Sequence, residues 1–317
     1  MSYAIVFPGQ GAQEIGMGKD FYDSCGVSRE VFGEADEALG FPLSEVIFGG
    51  TDEELTQTAI TQPALLVVSI AALRAFGEEL AARGKELRPA FYAGHSLGEY
   101  TALVASGVLC LADAVRLVHR RGQLMQSAVP AGRGAMSAVL GLGIDALADI
   151  CKEAGGVCSP ANENAPGQVV ISGETKAVER AGTLAKERGA RKVVPLKVSA
   201  PFHCELMRPV ADELEKEFSK LEWHDPSTPI AANVDSSFLR SADAIREALY
   251  RQTYSPVLWA DGARAMENAG VSLFLEFGPG SVLSGLIKRI CKGKETRTVG
   301  KLADVAKAIE AVEGVPS

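Results

Sequence analysis

The sequence predicts an α/β fold: a parallel sheet flanked by helices, interrupted by a smaller βαββαβ unit. Three observations carry that expectation. A short apolar strand runs into a glycine-rich turn at the start of the chain. Strand–turn–helix successions recur around residues 90–105 and 271–290. The middle of the chain reads as strand, helix, strand, strand, helix, strand.

Taken in order, Tyr3 to Phe7 is a short buried strand that stops at Pro8-Gly9-Gln10-Gly11, where two glycines open backbone conformations closed to other residues. From Thr61 to Arg83 the spacing of Ala64, Leu65, Val68, Ala71, Ala72 and Leu73 is helical, with Pro63 acceptable in a first turn. Ala90 to Ala93 is a brief apolar strand, Gly94 to Gly98 a sharp turn, and Glu99 to Ala105 a helix.

The middle reads as a strand Ala135–Leu142, a helix Ile144–Glu153, strands Val157–Asn162 and Gln168–Ser172, a helix Thr175–Arg188 and a strand Lys192–Lys197. That is the ferredoxin-like order in about the length such a unit needs. It places a small domain at 130–199 inside a larger one formed by 1–129 and 200–317. Pro130 to Gly134 is the entry and Ser199-Ala200-Pro201 the exit. Beyond it come a helix Pro256–Ala269, a strand Val271–Glu276, a turn Gly278-Pro279-Gly280 and a helix Val282–Ile290.

Composition removes several classes of function. A net charge of −8 over 317 residues repels nucleic-acid phosphates and anionic lipid, so neither nucleic acid nor membrane is an expected partner. The first ten residues lack a basic region followed by an apolar one, and the longest apolar runs read as too short for a bilayer span, which points to the cytoplasm. Six cysteines form no C-x-x-C pair and four histidines lie scattered, so reduced thiols and no metal site are expected.

The chemistry concentrates in a few places. Gly94-His95-Ser96-Leu97-Gly98 fits G-x-S-x-G, in which a tight strand-to-helix turn holds a serine strained and exposed. The bland alternative is a helix N-cap serine. If Ser96 is a nucleophile, the helix after it directs free N–H groups at a developing oxyanion, Leu97 first, with Gln10 in the first glycine-rich turn as the second candidate. Equally, Pro8 to Gly11 could be only a tight turn.

A serine hydroxyl needs a base within hydrogen-bond reach. His95 would turn away along the backbone, His119 falls in a helical run, and His224 sits beside Asp225 and Pro226 in a polar stretch. His203 lies in a loop where the chain returns from the small domain, which makes it the best base, although a lone loop histidine is more often structural. Arg121 shares a helical stretch with Arg116, Arg120 and Gln123. The bland alternative is a solvated helix face; Arg120 and Arg121 cannot share a face fully, so at least one could point inward and would then require an anion, and composition leaves open which.

Phe7 to Gln13, Thr61 to Leu65, Gly94 to Tyr100, Arg121 to Met125, Asn162 to Gln168, Phe202-His203 and Phe277 to Gly280 together closely resemble the malonyl-CoA:acyl carrier protein transacylases, in the same order over nearly the whole chain. The resemblance implies an α/β hydrolase-like large domain with a ferredoxin-like insert and the active site between them. It implies that Ser96 becomes malonylated, that His203 is the base, and that Gln10 and Leu97 supply the oxyanion N–H groups. Arg121 would grip the malonyl carboxylate, and a backbone carbonyl near Gln252 would orient His203. Gln62 and Asn162 would line the pocket and the CoA path. Phe202 would favour malonyl over methylmalonyl by shape.

The resemblance implies no cofactor, since malonyl-CoA would be a substrate, and it implies acyl carrier protein as the acceptor in fatty acid biosynthesis. Between Lys288 and Lys301 the chain carries a local positive excess, and Lys288, Arg289 and Lys292 are a candidate docking patch for an acidic carrier, or else an exposed charged turn between a helix and a strand. The rival readings are a stand-alone polyketide-synthase acyltransferase, a serine esterase or thioesterase, and a non-catalytic acyl-CoA or carrier-binding protein.

Overall fold

The computed structural model describes residues 2–130, 132–198 and 200–314. Ala131 and Ser199, named above within the entry and exit of the small domain, lie outside the described residues. The strands, in chain order, are β1 (Ser2–Phe7), β2 (Phe91–Gly94), β3 (Gly134–Leu140), β4 (Cys158–Ala165), β5 (Gln168–Glu174), β6 (Lys192–Pro195), β7 (Ile230–Ala231), β8 (Phe238–Leu239), β9 (Val271–Phe277) and β10 (Glu295–Val299).

The larger sheet has the order β10-β9-β1-β2-β7-β8, parallel throughout except for β8. β1 and β9 are buried along nearly their whole length, as strands covered by helices on both faces must be, which is why they read as unbroken apolar runs. Phe7 of β1 pairs with Gly94 of β2, and the His95 N–H donates to the Phe7 carbonyl at 3.1 Å. That register sets the Pro8–Gly11 turn beside the Ser96 turn, at the carboxyl end of adjacent parallel strands, where open α/β sheets bind their ligands.

The helix Thr58–Ala82 is long and apolar enough to cross a membrane by length and composition, which the sequence reading did not anticipate. However, 83% of its most apolar window is buried inside the protein, as in a core helix. Pro63 is its sixth residue, one turn deeper than expected, so the Ala59 carbonyl loses its helical partner. His119 supplies the missing donor: its Nδ1–H reaches Ala59 O at 2.8 Å, while Nε2 accepts from Gln123 Nε2 at 2.9 Å.

His119 belongs to the helix Leu111–Ser127, and Gly122 of the same helix lies against the same turn; a Cβ there would stand 2.5 Å from Ala59 Cα. The two backbones therefore touch, and the contact turns Arg121 inward to 1% exposure while Arg120 stays at the surface near Glu217.

The smaller sheet has the order β4-β5-β3-β6 with every pair antiparallel. This is the ferredoxin-like arrangement. Alternate residues divide its two faces: Val139, Val169 and Ile171 pack under the helices Ile144–Ala154 and Thr175–Glu187, while Met136 and Val170 gather on the other face with Ala161 and Phe202.

β4 continues past the expected Asn162 to Ala165, through a polar run with two irregularities of register. A backbone pairing outside its own sheet supports it there. Val257 N–H donates to Ala161 O at 2.9 Å and Glu163 N–H to Val257 O at 2.8 Å, a parallel bridge between the small unit and the large one. This bridge is also why the helix expected from Pro256 begins only at Trp259. β6 ends at Pro195, earlier than expected, and β10 occupies part of the stretch that could have been read as a charged turn.

Candidate active site

Ser96 has φ 52° and ψ −103°, a conformation that costs a non-glycine residue about 1–3 kcal/mol and persists only where the surroundings enforce it. The flanking glycines make it possible. A Cβ on Gly94 would lie 2.0 Å from the Gly98 carbonyl carbon, and one on Gly98 would lie 2.1 Å from the Phe7 oxygen. Asn233 clamps the turn by accepting from Ser96 N–H at 2.7 Å and donating to Gly94 O at 2.7 Å, and Gln252 Nε2 donates to Ser96 O at 2.9 Å.

The Ser96 side chain is therefore free of capping duty: its Oγ faces His203 Nε2 at 2.8 Å. On the far side of the ring, His203 Nδ1–H donates to the backbone carbonyl of Gln252 at 2.8 Å, which fixes the tautomer with the Nε2 lone pair toward the serine. His203 is 3% exposed, and its own φ of 58° is in the left-handed region. Burial, with the Arg121 charge as a second cause, pushes its pKa down to about 3. The imidazole is thus neutral and able to accept a proton at physiological pH.

A stability consequence follows. Below about pH 6.5 the unfolded chain protonates this ring while the native state refuses the proton until far lower pH, so the unfolded state gains and stability falls as pH drops toward 3. Between pH 7 and pH 5 the loss from this one group is about 2 kcal/mol. Denaturant midpoints at the two pH values should show a smaller gap for His203→Ala than for the wild type.

Arg121 is held by uncharged acceptors: Nη1 donates to Gln62 Oε1 at 2.8 Å, and Nη2 to Gln252 Oε1 at 3.0 Å and Ser96 Oγ at 3.3 Å. Its guanidinium carbon lies 5.0 Å from the centre of the Tyr100 ring, and its Nε–H has no partner among the described residues. A buried cation so arranged is set to receive an anion. Neither the Leu97 nor the Gln10 backbone N–H donates a hydrogen bond among the described residues, whereas Ser96, Gly98 and Glu99 spend theirs within the protein.

These groups meet in a cavity of about 290 Å³, lined by Gln10, Gln62, Ser96, Leu97, Arg121, Asn162, Phe202 and His203. Of the residues named from the sequence for catalysis and acyl binding, Gln252 alone is not in that lining; it stands behind His203 and Arg121 and touches both, while Lys288, Arg289 and Lys292 lie outside the cavity. His95 does turn from the serine, its Nε2 meeting Asn164 Oδ1 at 2.8 Å.

Two residues at the site leave no mark in the sequence. Asn233 lies in a loop with no motif to mark it. Glu99 stands three residues after Ser96, the spacing of a capping box, yet neither side chain caps: Ser96 is committed to His203, and Glu99 to Gln252 and Asn233.

A hydroxyl on a strained turn, a neutral imidazole beside it, two N–H groups without a partner among the described residues and a buried guanidinium are together suited to acyl transfer. Residues 4–313 match the acyl transferase domain family. The chain is 47% identical over 310 residues to the malonyl CoA-acyl carrier protein transacylase of Escherichia coli (strain K12), covering 97% of this chain and 99% of that one. It superposes on an acyl carrier protein S-malonyltransferase from Vibrio cholerae O1 with a TM-score of 0.93 at 48% identity, over 97% of this chain and 100% of the other. A malonyl-transacylase solved in complex with its type II PKS acyl-carrier protein gives 0.93 at 45% identity, over 98% and 100%. The chain belongs to the malonyl CoA-acyl carrier protein transacylase family.

Proposed function

We propose that this enzyme transfers the malonyl group of malonyl-CoA to the phosphopantetheine thiol of acyl carrier protein, through a malonyl ester on Ser96, in cytoplasmic fatty acid biosynthesis and without a cofactor. The observation that carries this is the joining of Ser96, neutral His203 and buried Arg121 in one cavity by hydrogen bonds of 2.8 and 3.3 Å.

Arg121 takes the malonyl carboxylate with donors that Gln62 and Gln252 leave over. His203 removes the Ser96 proton as Oγ attacks the thioester carbonyl, and the Gln10 and Leu97 N–H groups receive the oxyanion. Collapse breaks the C–S bond, and the imidazolium returns its proton to the departing CoA sulfur. The carrier's thiol then enters, gives its proton to His203, attacks the ester, and leaves as the malonyl thioester while Ser96 recovers the proton. The Gln252 carbonyl orients His203 and stabilises the imidazolium. Phe202, half-buried beside Met136 and Val170, limits room at the malonyl α-carbon; excluding one methyl is worth only about 1–3 kcal/mol.

The two separate sheets fit a division into a body of 1–129 and 200–317 and an insert of 130–199. For the carrier, Lys288, Arg289 and Lys292 are exposed and have no acidic partner among the described residues, unlike Lys294 and Arg297. Arg289 also meets Gln168, which lines a groove shared with Gln10, Gly11 and Val282 beside the active-site turn. This supports docking at that patch. Likeness to the malonyl-transacylase bound to a type II PKS carrier favours polyketide synthesis as a second reading.

Intact mass after brief exposure to malonyl-CoA tests the proposal. One malonyl increment, discharged by a holo carrier and nearly absent with acetyl-CoA, is expected. CoA release with no adduct and no transfer to the carrier would show a hydrolase instead.

A further inference from the structure

Glu99 is 1% exposed, and no step above uses it. Its Oε2 accepts from Gln252 Nε2 at 2.9 Å and from the Asn233 backbone N–H at 3.3 Å, while its Oε1 has no partner among the described residues. The Gln252 amide nitrogen thus faces two acceptors, Glu99 and the Ser96 carbonyl, and the amide oxygen faces the Arg121 Nη2 donor. Turned over, the amide would set NH2 against guanidinium N–H and oxygen against oxygen, so Glu99 holds Gln252 in the one orientation that Arg121 can use.

Charge gives Glu99 a second connection to Arg121. The groups acting on the carboxyl are Arg121 from the helix Leu111–Ser127, Tyr100 from its own helix, and Asp235 from the loop after β7, itself paired with Arg251 at 2.8 Å. The remaining contacts, Gln252 and Asn233, are neutral, as is nearby His203. Arg121 is therefore the cation that an ionised Glu99 would balance in the empty site.

We propose that Glu99 is a positioning and charge-balancing residue of the acyl-carboxylate site: it orients Gln252 and through it Arg121, and it takes up a proton from solvent when a malonyl carboxylate occupies the guanidinium. The inference rests on the malonyl reading above. Burial raises the Glu99 pKa to about 7, against the hydrogen bonds from Gln252 and Asn233 and, after them, the Arg121 charge, so the group is poised between its two states near neutrality. A second anion on Arg121 cancels that pull and drives protonation; by linkage, an ionised Glu99 weakens malonyl binding.

The test is calorimetric. Malonyl-CoA and acetyl-CoA are titrated into Ser96→Ala, which cannot turn over, at pH 8 in two buffers of different ionisation enthalpy. Malonyl-CoA should take up about half a proton or more beyond acetyl-CoA, and Glu99→Gln in the same background should erase the difference. In turnover by the otherwise wild-type enzyme, KM for malonyl-CoA should rise about fivefold or more from pH 6.5 to 8.5 and be flat in Glu99→Gln.

Equal proton counts for the two esters, or an excess that survives Glu99→Gln, would overturn the proposal. A role in packing alone would lower Tm or kcat without moving the proton count. If Glu99→Gln fails to fold, Glu99→Ala in the Ser96→Ala background makes the same comparison. If malonyl-CoA neither binds Ser96→Ala nor acylates wild type, the substrate reading fails first and takes this inference with it.

Discussion

Ser96→Ala should form no malonyl-enzyme and lose about 10⁴-fold or more in transfer rate, while still binding malonyl-CoA. The proposed binding groups are separate from the proposed nucleophile: the Gln62 and Gln252 contacts hold Arg121 without the hydroxyl, and the long 3.3 Å bond to Ser96 Oγ is its weakest tie. The turn should survive as well, because its clamps use the Ser96 backbone and not the side chain: Asn233 takes the N–H and Gln252 the carbonyl. Melting within a few degrees of wild type is therefore expected beside the lost adduct. An alanine variant that still gained one malonyl mass at the wild-type rate would place the nucleophile elsewhere.

Arg121→Ala should lower kcat/KM for malonyl-CoA by about 10²–10³-fold, as expected when one partner of a buried charge pair is removed at a cost of about 3–5 kcal/mol. Acetyl-CoA should respond in the opposite direction. In the wild type it leaves a guanidinium of 1% exposure with no anion in hydrogen-bond contact, a penalty the variant no longer imposes. The measurement is the ratio of the two kcat/KM values, which cancels a general loss of active enzyme. Arg121→Lys should resemble the alanine variant, since a point charge cannot serve Gln62, Gln252 and a carboxylate together. An unchanged ratio would remove Arg121 from acyl selection.

How much of this site was legible depends on the kind of signal each residue leaves. Ser96 announced itself because its turn demands glycine on both sides, and steric demand writes a pattern into sequence. His203 carries no such pattern and differs from the other three histidines only in its place in the chain. Which of Arg120 and Arg121 points inward depends on Gly122 touching Ala59 across two helices, a contact between segments over sixty residues apart. Asn233 and Glu99 act through single hydrogen bonds to backbone and amide groups brought together by the sheet order, and such bonds leave no period and no composition.

The same contrast holds for the fold. The small unit's alternating faces made its six elements readable, whereas two-residue strands such as β7 are too short for a pattern, and the polar end of β4 owes its extension to Val257 on another element.

That bridge bears on how such enzymes could be recombined. The segment 130–199 reads as a cassette set into the chain, inviting exchange between relatives as a single block. Yet Ala161 and Glu163 are tied to Val257, more than fifty residues beyond its exit, and the tie lies beside Asn162 at the cavity wall. A chimera carrying the segment 130–199 alone would inherit its partner strand from a foreign parent. The natural unit of exchange is discontinuous, and the stretch 255–258 travels with it.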